Sequence, residues 1–476
     1  MGGAGAWARP PVDHGVVMHH EDQAASAVSV DPSLFQEKFD EVEAELAPLF
    51  ARRETRAHAV AYVRGLLADL PRKNCWTLAE HAGQTRAFGM QRLLYKAVWD
   101  EDGARDAVRR FAVRHLEAPG AVLVFDETGQ EKKGTATAGV GRQYTGTTGQ
   151  VSNAVVAVYC TYASTLGHCL IDGDLYVQKH WAEDPDRCER AGLGRDFTFR
   201  TKTAIALEQA RRAVAAGVAV DWAAGDEVYG RSTALRGFFE DHGIGYVFAV
   251  GVNFQVPTGA GPMRADLLVA RKVPKRAWNR LSCGQGAKGP RVYDWALVST
   301  SSPRHHLLVR RSLADPTDLA FFYAYAPPGR SMALADLVKI AGIRWAVEED
   351  FANGKDAVGL DHTQARRYRS WRRHITLAMA ALALLAVIAS LDRRTHPAPV
   401  LPADANAAPP EEFGQIALTV TEARRLFQLF TALLRDLPTA VATRRMAFHL
   451  QWSNWRRRHQ ARSRWHHYKR RLAALA

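Results

Sequence analysis

Three acidic side chains stand where they could do chemistry together. Asp126 follows directly after an unbroken apolar run over residues 121–125, which is typical of a strand buried on both faces. Asp226 comes two residues after a second, largely apolar run over residues 218–224, and Glu348 lies within a later helical pattern. An acid beside a buried strand is costly unless it is paired or binds a metal. Taken singly, each acid is equally well explained as a turn-capping or surface residue.

The helical pattern around Glu348 separates it from the two acids that follow. At about 100° per residue, Glu348 shares one face of the helix with Arg344 and Lys355, whereas Glu349 and Asp350 turn to either side. The pattern therefore predicts that Glu348 points towards the sheet. An ordinary intrahelical ion pair between Arg344 and Glu348 would explain the same spacing.

Three carboxylates that meet at one edge of a sheet would repel one another strongly. Two divalent cations about 3.5–4 Å apart relieve that repulsion and stabilise both the attacking and the leaving oxygen of a phosphodiester. Mg²⁺ suits carboxylate and phosphate oxygens best, and Mn²⁺ is the alternative. As a set, the acids therefore predict a two-metal site for phosphoryl transfer.

The charge of the chain indicates a polyanionic partner. The 476 residues carry a formal charge of +14 and a pI of about 9.7. Ten Arg or Lys and no Asp or Glu lie between Arg444 and Arg471, with aromatic residues among them. This composition suits a DNA backbone and unstacked bases, although a solvated basic helix with docked Trp residues is an alternative. The tail residues that we assign to DNA binding are Trp455, Arg456, Arg457, Arg458, Arg462, Arg464 and Trp465.

Five cysteines without a CxxC pair make a disulfide framework or zinc ribbon a poor interpretation, and they favour a cytoplasmic location. The most apolar stretch, residues 375–391, is short for a membrane span and is flanked by Arg. We interpret it as a helix buried in the core and predict no membrane contact.

An N-terminal pair of helical segments resembles a helix-turn-helix. Thr77 and Glu80 have the spacing of a capping box, and Gly83 follows as a helix terminator. Arg92 and Lys96 on the second segment could contact phosphates or base edges. A plain helical hairpin explains the pattern equally well.

The order of the elements indicates an α/β fold of the RNase H-like plan. A strand with Asp126 precedes two further strands, a helix, a strand with Asp226, a helix, a strand and finally the helix of Glu348. The predicted divisions are a disordered leader (1–31), a helical domain (32–117), the first part of the catalytic core (118–251), a β-rich insertion (252–328), the second part of the core (329–394), a Pro-rich linker (395–414) and a helical basic tail (415–476).

Several motifs of the chain resemble the IS701 family of DDE transposases, within the wider IS4-like group. The matching stretches lie around Asp126 (FDETGQEKKG), around Asp226 (AGDEVYG) and along the Glu348 helix (IRWxxExxFxxxK). Further matches lie at residues 359–362, 372–378, 73–83 and 91–100. The resemblance spans about residues 35–475 and implies an insertion-sequence transposase that cleaves element ends and transfers 3′-OH strands into target DNA.

The resemblance also implies roles for single residues. Asp126, Asp226 and Glu348 match the metal-binding triad, while Arg344 and Lys355 match the phosphate contacts of the group's Tyr-Arg-Glu-Lys signature. Ala341 stands where that signature has its Tyr. Lys132 and Lys133, which follow Asp126 in a Gly- and Thr-rich segment, are also assigned to DNA binding.

Three functions stay open on this sequence. The first is an active transposase that acts as a homodimer on double-stranded DNA, namely on terminal inverted repeats and a target. The second is a catalytically silent DNA-binding protein derived from one, which Ala341 favours. The third is an RNase H-like nuclease without strand transfer.

Overall fold

Five helices make up the N-terminal region, and four of them pack directly against the long helix of the core. The computed structural model describes residues 30–286, 289–330, 332–396, 414–436 and 438–475. The predicted leader and Pro-rich linker therefore lie almost wholly outside the described residues. The five helices are α1 (Pro32–Leu46), α2 (Arg53–Leu67), α3 (Cys75–His81), α4 (Phe88–Tyr95) and α5 (Glu101–Leu116).

The start of α3 differs from the predicted capping box. Asn74, not Thr77, is the N-cap, and its Oδ1 accepts hydrogen bonds from the amides of Trp76 (2.9 Å) and Thr77 (3.2 Å). Thr77 Oγ1 in turn accepts from the Asn74 amide at 3.2 Å. The prediction from Thr77 and Glu80 was wrong because Asn74, in extended conformation, already satisfies these amides one turn earlier. Gly83 does take the left-handed conformation (φ 69°) after the helix.

A large sheet forms the centre of the molecule. Its core strands run in the order β4-β3-β1-β5-β6; β3 lies antiparallel to β1 and β4, and β5 and β6 continue parallel to β1. This order confirms the RNase H-like fold. The elements are β1 (Val122–Glu131), β2 (Gly141–Thr145), β3 (Gln150–Ala163), β4 (His168–Tyr176), α6 (Pro185–Ala191), α7 (Lys202–Ala215), β5 (Trp222–Gly225), α8 (Glu227–Gly230), α9 (Thr233–Asp241) and β6 (Gly245–Val250).

The segment predicted as a β-rich insertion extends this same sheet. Its last strand pairs antiparallel with β6, and the three strands before it continue outwards in turn. Ten strands of the described chain thus form one sheet. The elements are β7 (Gln255–Val256) and β8 (Met263–Arg264), which form a separate small pair, then α10 (Ala265–Lys272), β9 (Asn279–Gly286), β10 (Gly289–Ser299), β11 (His305–Arg311) and β12 (Leu319–Tyr325).

The helical pattern that contains Glu348 forms two helices, which are divided at Arg344. The two parts are α11 (Leu334–Ile343) and α12 (Trp345–Val358). At this division the carbonyl of Gly342 accepts a hydrogen bond from Arg291 Nη2 (3.0 Å). A Cβ at Gly342 would also meet the backbone of Cys283 at 1.7 Å, so only glycine permits this close approach to β9.

The apolar stretch at residues 375–391 forms the middle of α13 (Tyr368–Thr395). Among the described residues α13 is the one helix long and apolar enough to cross a membrane, but 94% of its most apolar window is buried inside the protein. It packs on α2, α5 and β4, which confirms the interpretation as a core helix. Two further helices, α14 (Val420–Asp436) and α15 (Thr439–Leu475), pack on each other.

Candidate active site

Asp126 and Asp226 occupy equivalent positions beside two neighbouring strands. The parallel pairing of β1 with β5 ends at the partners Phe125 and Gly225, and each aspartate is the next residue. β5 stops there because Asp226 becomes the N-cap of α8, with its side chain accepting from the Val228 amide at 2.8 Å. β1 continues to Glu131 along β3, so Asp126 lies within a strand and not at its end as predicted.

The environment of Asp126 disfavours its charge. Burial, and after it the charge of Asp226, raises the pKa of Asp126 to about 7, although Arg344 opposes the shift. Burial, and after it the charge of Glu127, likewise raises the pKa of Asp226. Two carboxyls with raised pKa values at one sheet edge indicate a site that is short of positive charge.

Arg344 connects the third acid to the first. Its Nη2 lies 2.7 Å from Glu348 Oε1, and its Nη1 lies 3.3 Å from Asp126 Oδ2. The intrahelical ion pair that was an alternative for Glu348 is therefore present, and the same guanidinium also reaches the strand. The division of the helix at Arg344 lets the side chain lie between α12 and β1.

Asp350, which the sequence did not single out, fixes α12 against the sheet. Its carboxylate is buried and lies 2.8 Å from His168 Nδ1 on β4 and 2.9 Å from Thr161 Oγ1 on β3. Burial by itself would lower the pKa of His168, but the charge and hydrogen bonds of Asp350, together with Glu349, raise it to about 10. These contacts set the rotation of α12 and hence the direction of Glu348.

Glu127 is a second residue that the sequence did not single out. Its carboxylate accepts hydrogen bonds from Tyr229 Oη (2.7 Å) and Lys202 Nζ (2.6 Å). Tyr229 belongs to α8, whose first turn holds the Asp226 carboxylate. Glu127 therefore ties α8 to β1 and helps to position Asp226. The only signal in the sequence was its place beside Asp126.

The three acids offer oxygen ligands only, which is the donor set that Mg²⁺ prefers. Within the part of the chain that the structure describes, no group of three or more His, Cys, Asp or Glu side chains is already arranged to hold a metal ion. The cation between Asp126 and Glu348 is Arg344. The residues fit Mg²⁺ in charge and chemistry, and convergence on an ion requires Arg344 to turn away.

A cleft of about 540 Å³ lies at the end of β1, on the part of the strand that runs away from Asp126. Glu131, on its wall, lies five residues along the strand from Asp126, roughly 17 Å at 3.4 Å per residue. Lys132 Nζ donates to Thr363 O at 2.7 Å, and burial lowers its pKa to about 8. The four cations of the lining are Arg72, Lys132, Lys133 and Arg366.

The remaining residues assigned to DNA binding divide into surface and interior groups. Lys355, beside the site, donates to Thr147 Oγ1 at 3.0 Å. Arg92 and Lys96 are exposed at α4. In the tail, Trp455, Arg462 and Arg464 are exposed, and Arg458 is half-buried.

Three tail residues are placed differently from the prediction. Arg457 is buried and pairs with Asp392 at 2.7 Å, and Trp465 is 2% exposed in the helix that packs on β10. Half-buried Arg456 pairs with Glu422 at 2.6 Å. Buried Arg457 and Trp465 attach α15 to the rest of the protein, and the guanidinium of Arg456 is already paired, so these three residues differ from the exposed cations of the tail.

Comparisons with known proteins match two parts of the chain to family models. Residues 45–280 match the family model described as DDE superfamily endonuclease, and residues 200–384 match the model described as transposase DDE domain. A probable transposase for insertion sequence element IS701 from Microchaete diplosiphon is 26% identical over 195 residues, 40% of this chain. That match spans about half (48%) of the relative's length.

Among solved structures, a piggyBac transposase synaptic complex with hairpin DNA aligns with a TM-score of 0.39 and 11% identity. The alignment covers 90% of this chain and 85% of that one.

Proposed function

We infer that this chain is an IS701-like member of the DDE transposase family, and we propose that it is the transposase of an insertion sequence. Its substrates would be the double-stranded terminal repeats of the element and a target DNA. The observation that carries the proposal is the placement of Asp126 and Asp226 at one register of the β1–β5 pair, with Arg344 linking Asp126 to Glu348.

In this proposal Asp126, Asp226 and Glu348 hold two Mg²⁺ ions. The ions would neutralise the three carboxylates and supply Lewis acidity and an acidified water ligand. Glu127 keeps Asp226 in place through Tyr229, and Asp350 keeps Glu348 directed at the sheet edge through His168. Once Arg344 leaves the carboxylates, its guanidinium is free to donate a bidentate pair of hydrogen bonds to a phosphate of the DNA.

In this proposal the DNA backbone binds along the cleft at the end of β1 and reaches the three acids from there. Lys355 lies at the border of the site, and the cations Arg72, Lys133 and Arg366 lie farther along. Phosphate contacts of this kind position a strand without reading its sequence. Strand cleavage would leave a 3′-OH at the element end, and that hydroxyl would then attack a target phosphodiester.

A second candidate is a DNA-binding protein without catalysis. Ala341, which stands where the IS4-like signature has Tyr, is buried in α11 and offers the DNA no ring or hydroxyl. For both candidate functions we predict a dimer on DNA and a cytoplasmic location.

Purified protein, Mg²⁺ and labelled DNA with the candidate element ends would test the proposal. Wild-type protein is expected to cut and join the DNA, and Glu348→Gln to bind it without cutting. Asp356→Asn, an exposed acid on the same helix, is the matched control and is expected to keep full activity. Binding without cleavage by the wild-type protein would favour the silent candidate, whereas cleavage by Glu348→Gln would refute the assignment of the triad.

A further inference from the structure

The outward face of α15 carries a row of exposed rings. Phe448, Trp452, Trp455 and His459 recur every three or four residues, so they lie along one face of the helix. Phe448 is 54% exposed, Trp452 45% and Trp455 52%, and His459 is also exposed. The opposite face attaches the helix to the protein through residues such as Arg457. The row therefore does not serve to hold α15 in place.

The rings form a continuous ladder. Trp455 stacks on His459 with centroids 5.3 Å apart and planes 9° from parallel. Trp452 meets Trp455 edge to face at 5.5 Å and 73°, and Phe448 meets Trp452 at 6.4 Å and 68°. From Phe448 to His459 the row is about 16 Å long at 1.5 Å per residue. Each ring is thus held by its neighbours while about half of its surface stays accessible to a planar ligand.

The charge around the row selects an anionic ligand. No Asp or Glu occurs from Thr439 to the end of the chain. At about 100° per residue, Arg445 and Arg470 project within about 60° of the row. A second copy of the chain would bring the same cations face to face, so self-association through this surface is disfavoured.

A ligand for this surface should be anionic and should expose planar groups, and a single-stranded nucleic acid has both properties. In duplex DNA the bases are stacked on each other, so a row of rings reaches little besides the backbone. In a single strand every base can stack on an aromatic side chain while cations follow the phosphates. We propose that the face of α15 formed by Phe448, Trp452, Trp455 and His459 binds single-stranded DNA. The inference rests on the proposed function for the source of that strand, namely DNA opened at a cleaved element end.

Binding by the full-length chain in the Glu348→Gln background, where the probe is not cut, would test this proposal. Fluorescence anisotropy would compare labelled oligothymidine with a blunt duplex of the same length. The double variant Trp452→Ala/Trp455→Ala is expected to lose about 30-fold or more in affinity for the single strand, because two stacked bases are removed. Its affinity for duplex DNA is expected to change by less than about threefold.

Two further variants distinguish stacking on the rings from general apolar contact. Trp452→Leu/Trp455→Leu keeps apolar area but no ring face, so it is expected to lose as much single-strand affinity as the alanine pair. Leu267→Ala removes an equally exposed apolar side chain (45%) from α10 and is expected to change nothing. Because the variants replace exposed side chains, circular dichroism melting curves are expected to match those of the parent protein.

Several results would overturn the proposal. One is unchanged single-strand affinity in the alanine pair, and another is affinity retained by the leucine pair. Loss of a dimer in the alanine pair, measured by sedimentation, would assign the row to a second copy. Loss of binding to anionic vesicles, without loss of single-strand binding, would assign it to a membrane surface. Failure of the wild-type protein to cleave DNA would refute the proposed function and leave this inference intact.

Discussion

Asp126, which is largely buried, and Asp172, which is fully buried, are carboxylates of the same sheet, yet their surroundings are opposite. Asp172, on β4, lies 2.9 Å from Arg212, 3.2 Å from Arg109 and 3.6 Å from Arg105. Burial alone would raise the pKa of Asp172, but the charges of Arg212 and Arg105 lower it. Asp126 has one arginine at 3.3 Å, and its pKa is raised to about 7.

The difference separates an acid whose charge is neutralised within the fold from one that we propose to bind a metal ion. Three arginines neutralise the charge of Asp172, so this carboxylate forms an ion-pair network and has no position left for a ligand. Asp126 lies beside Asp226 and is short of positive charge, which costs stability until a cation arrives. Burial of an acid is thus common to both sites, and the count of neighbouring cations distinguishes them.

The largest expected effect is on catalysis. Asp126→Asn is expected to lower DNA cleavage by about 10³-fold or more, because it removes one carboxylate from the acids that hold the metal while keeping the side chain's shape. Single-turnover cleavage assays would measure this, and DNA affinity should stay within a few-fold of wild type. Near-wild-type cleavage would mean that Asp126 is no more functional than Asp172.

The matching change at Asp172 is expected to act on stability. Asp172→Asn leaves the buried Arg105 and Arg109 and the half-buried Arg212 without their common anion, which should cost about 3–5 kcal/mol of unfolding free energy. Urea denaturation at neutral pH would measure the loss. A change below about 1 kcal/mol would show that the arginines find water or other partners, and the comparison with Asp126 would lose its basis.

The two acids are expected to give stability opposite dependences on pH. Because the folded pKa of Asp126 is above its unfolded value, its contribution should fall as pH rises from about 4 to about 7. Asp126→Asn should therefore stabilise the metal-free protein more at pH 8 than at pH 5, by up to about 3 kcal/mol. The lowered pKa of Asp172 has the opposite sign, with stability lost as pH falls. Urea denaturation of Asp126→Asn and of the wild-type protein at both pH values would measure this effect. An equal difference in unfolding free energy between the two proteins at pH 5 and pH 8 would contradict it.

A divalent cation is expected to remove the loss of stability that the charge of Asp126 causes in the metal-free protein. Mn²⁺ at about 100 times its dissociation constant should stabilise the wild-type protein by about 2.7 kcal/mol. Thermal melts with and without Mn²⁺ would measure the shift, which Asp126→Asn should reduce and Asp356→Asn should keep. An equal shift in wild type and Asp126→Asn would place the ion elsewhere.

The smallest expected effect belongs to Arg344. Its side chain is 28% exposed, so Arg344→Gln should change unfolding free energy by no more than about 1 kcal/mol. Cleavage should fall more than stability does, since the same guanidinium is proposed to bind a DNA phosphate. Urea curves and cleavage rates would be compared; a stability loss as large as that of Asp172→Asn would assign Arg344 to the fold.

The sequence by itself determined the fold class and selected the three candidate acids. Apolar runs that end near Asp126 and Asp226 require buried neighbouring strands, and helical spacing directs Glu348 away from Glu349 and Asp350. The strand order then confirmed the RNase H-like fold. These features depend on local periodicity, which a single sequence contains.

Only the tertiary structure decided which cations meet which acids. The pairs Arg457–Asp392 and Arg456–Glu422 join residues 65 and 34 positions apart, so local sequence cannot distinguish them from a DNA-binding surface. The same holds for Asp350 with His168 and for Arg344 between α12 and β1. Charge is a property of composition, whereas its neutralisation depends on which distant segments pack together, and that packing separates a structural arginine from one available to DNA.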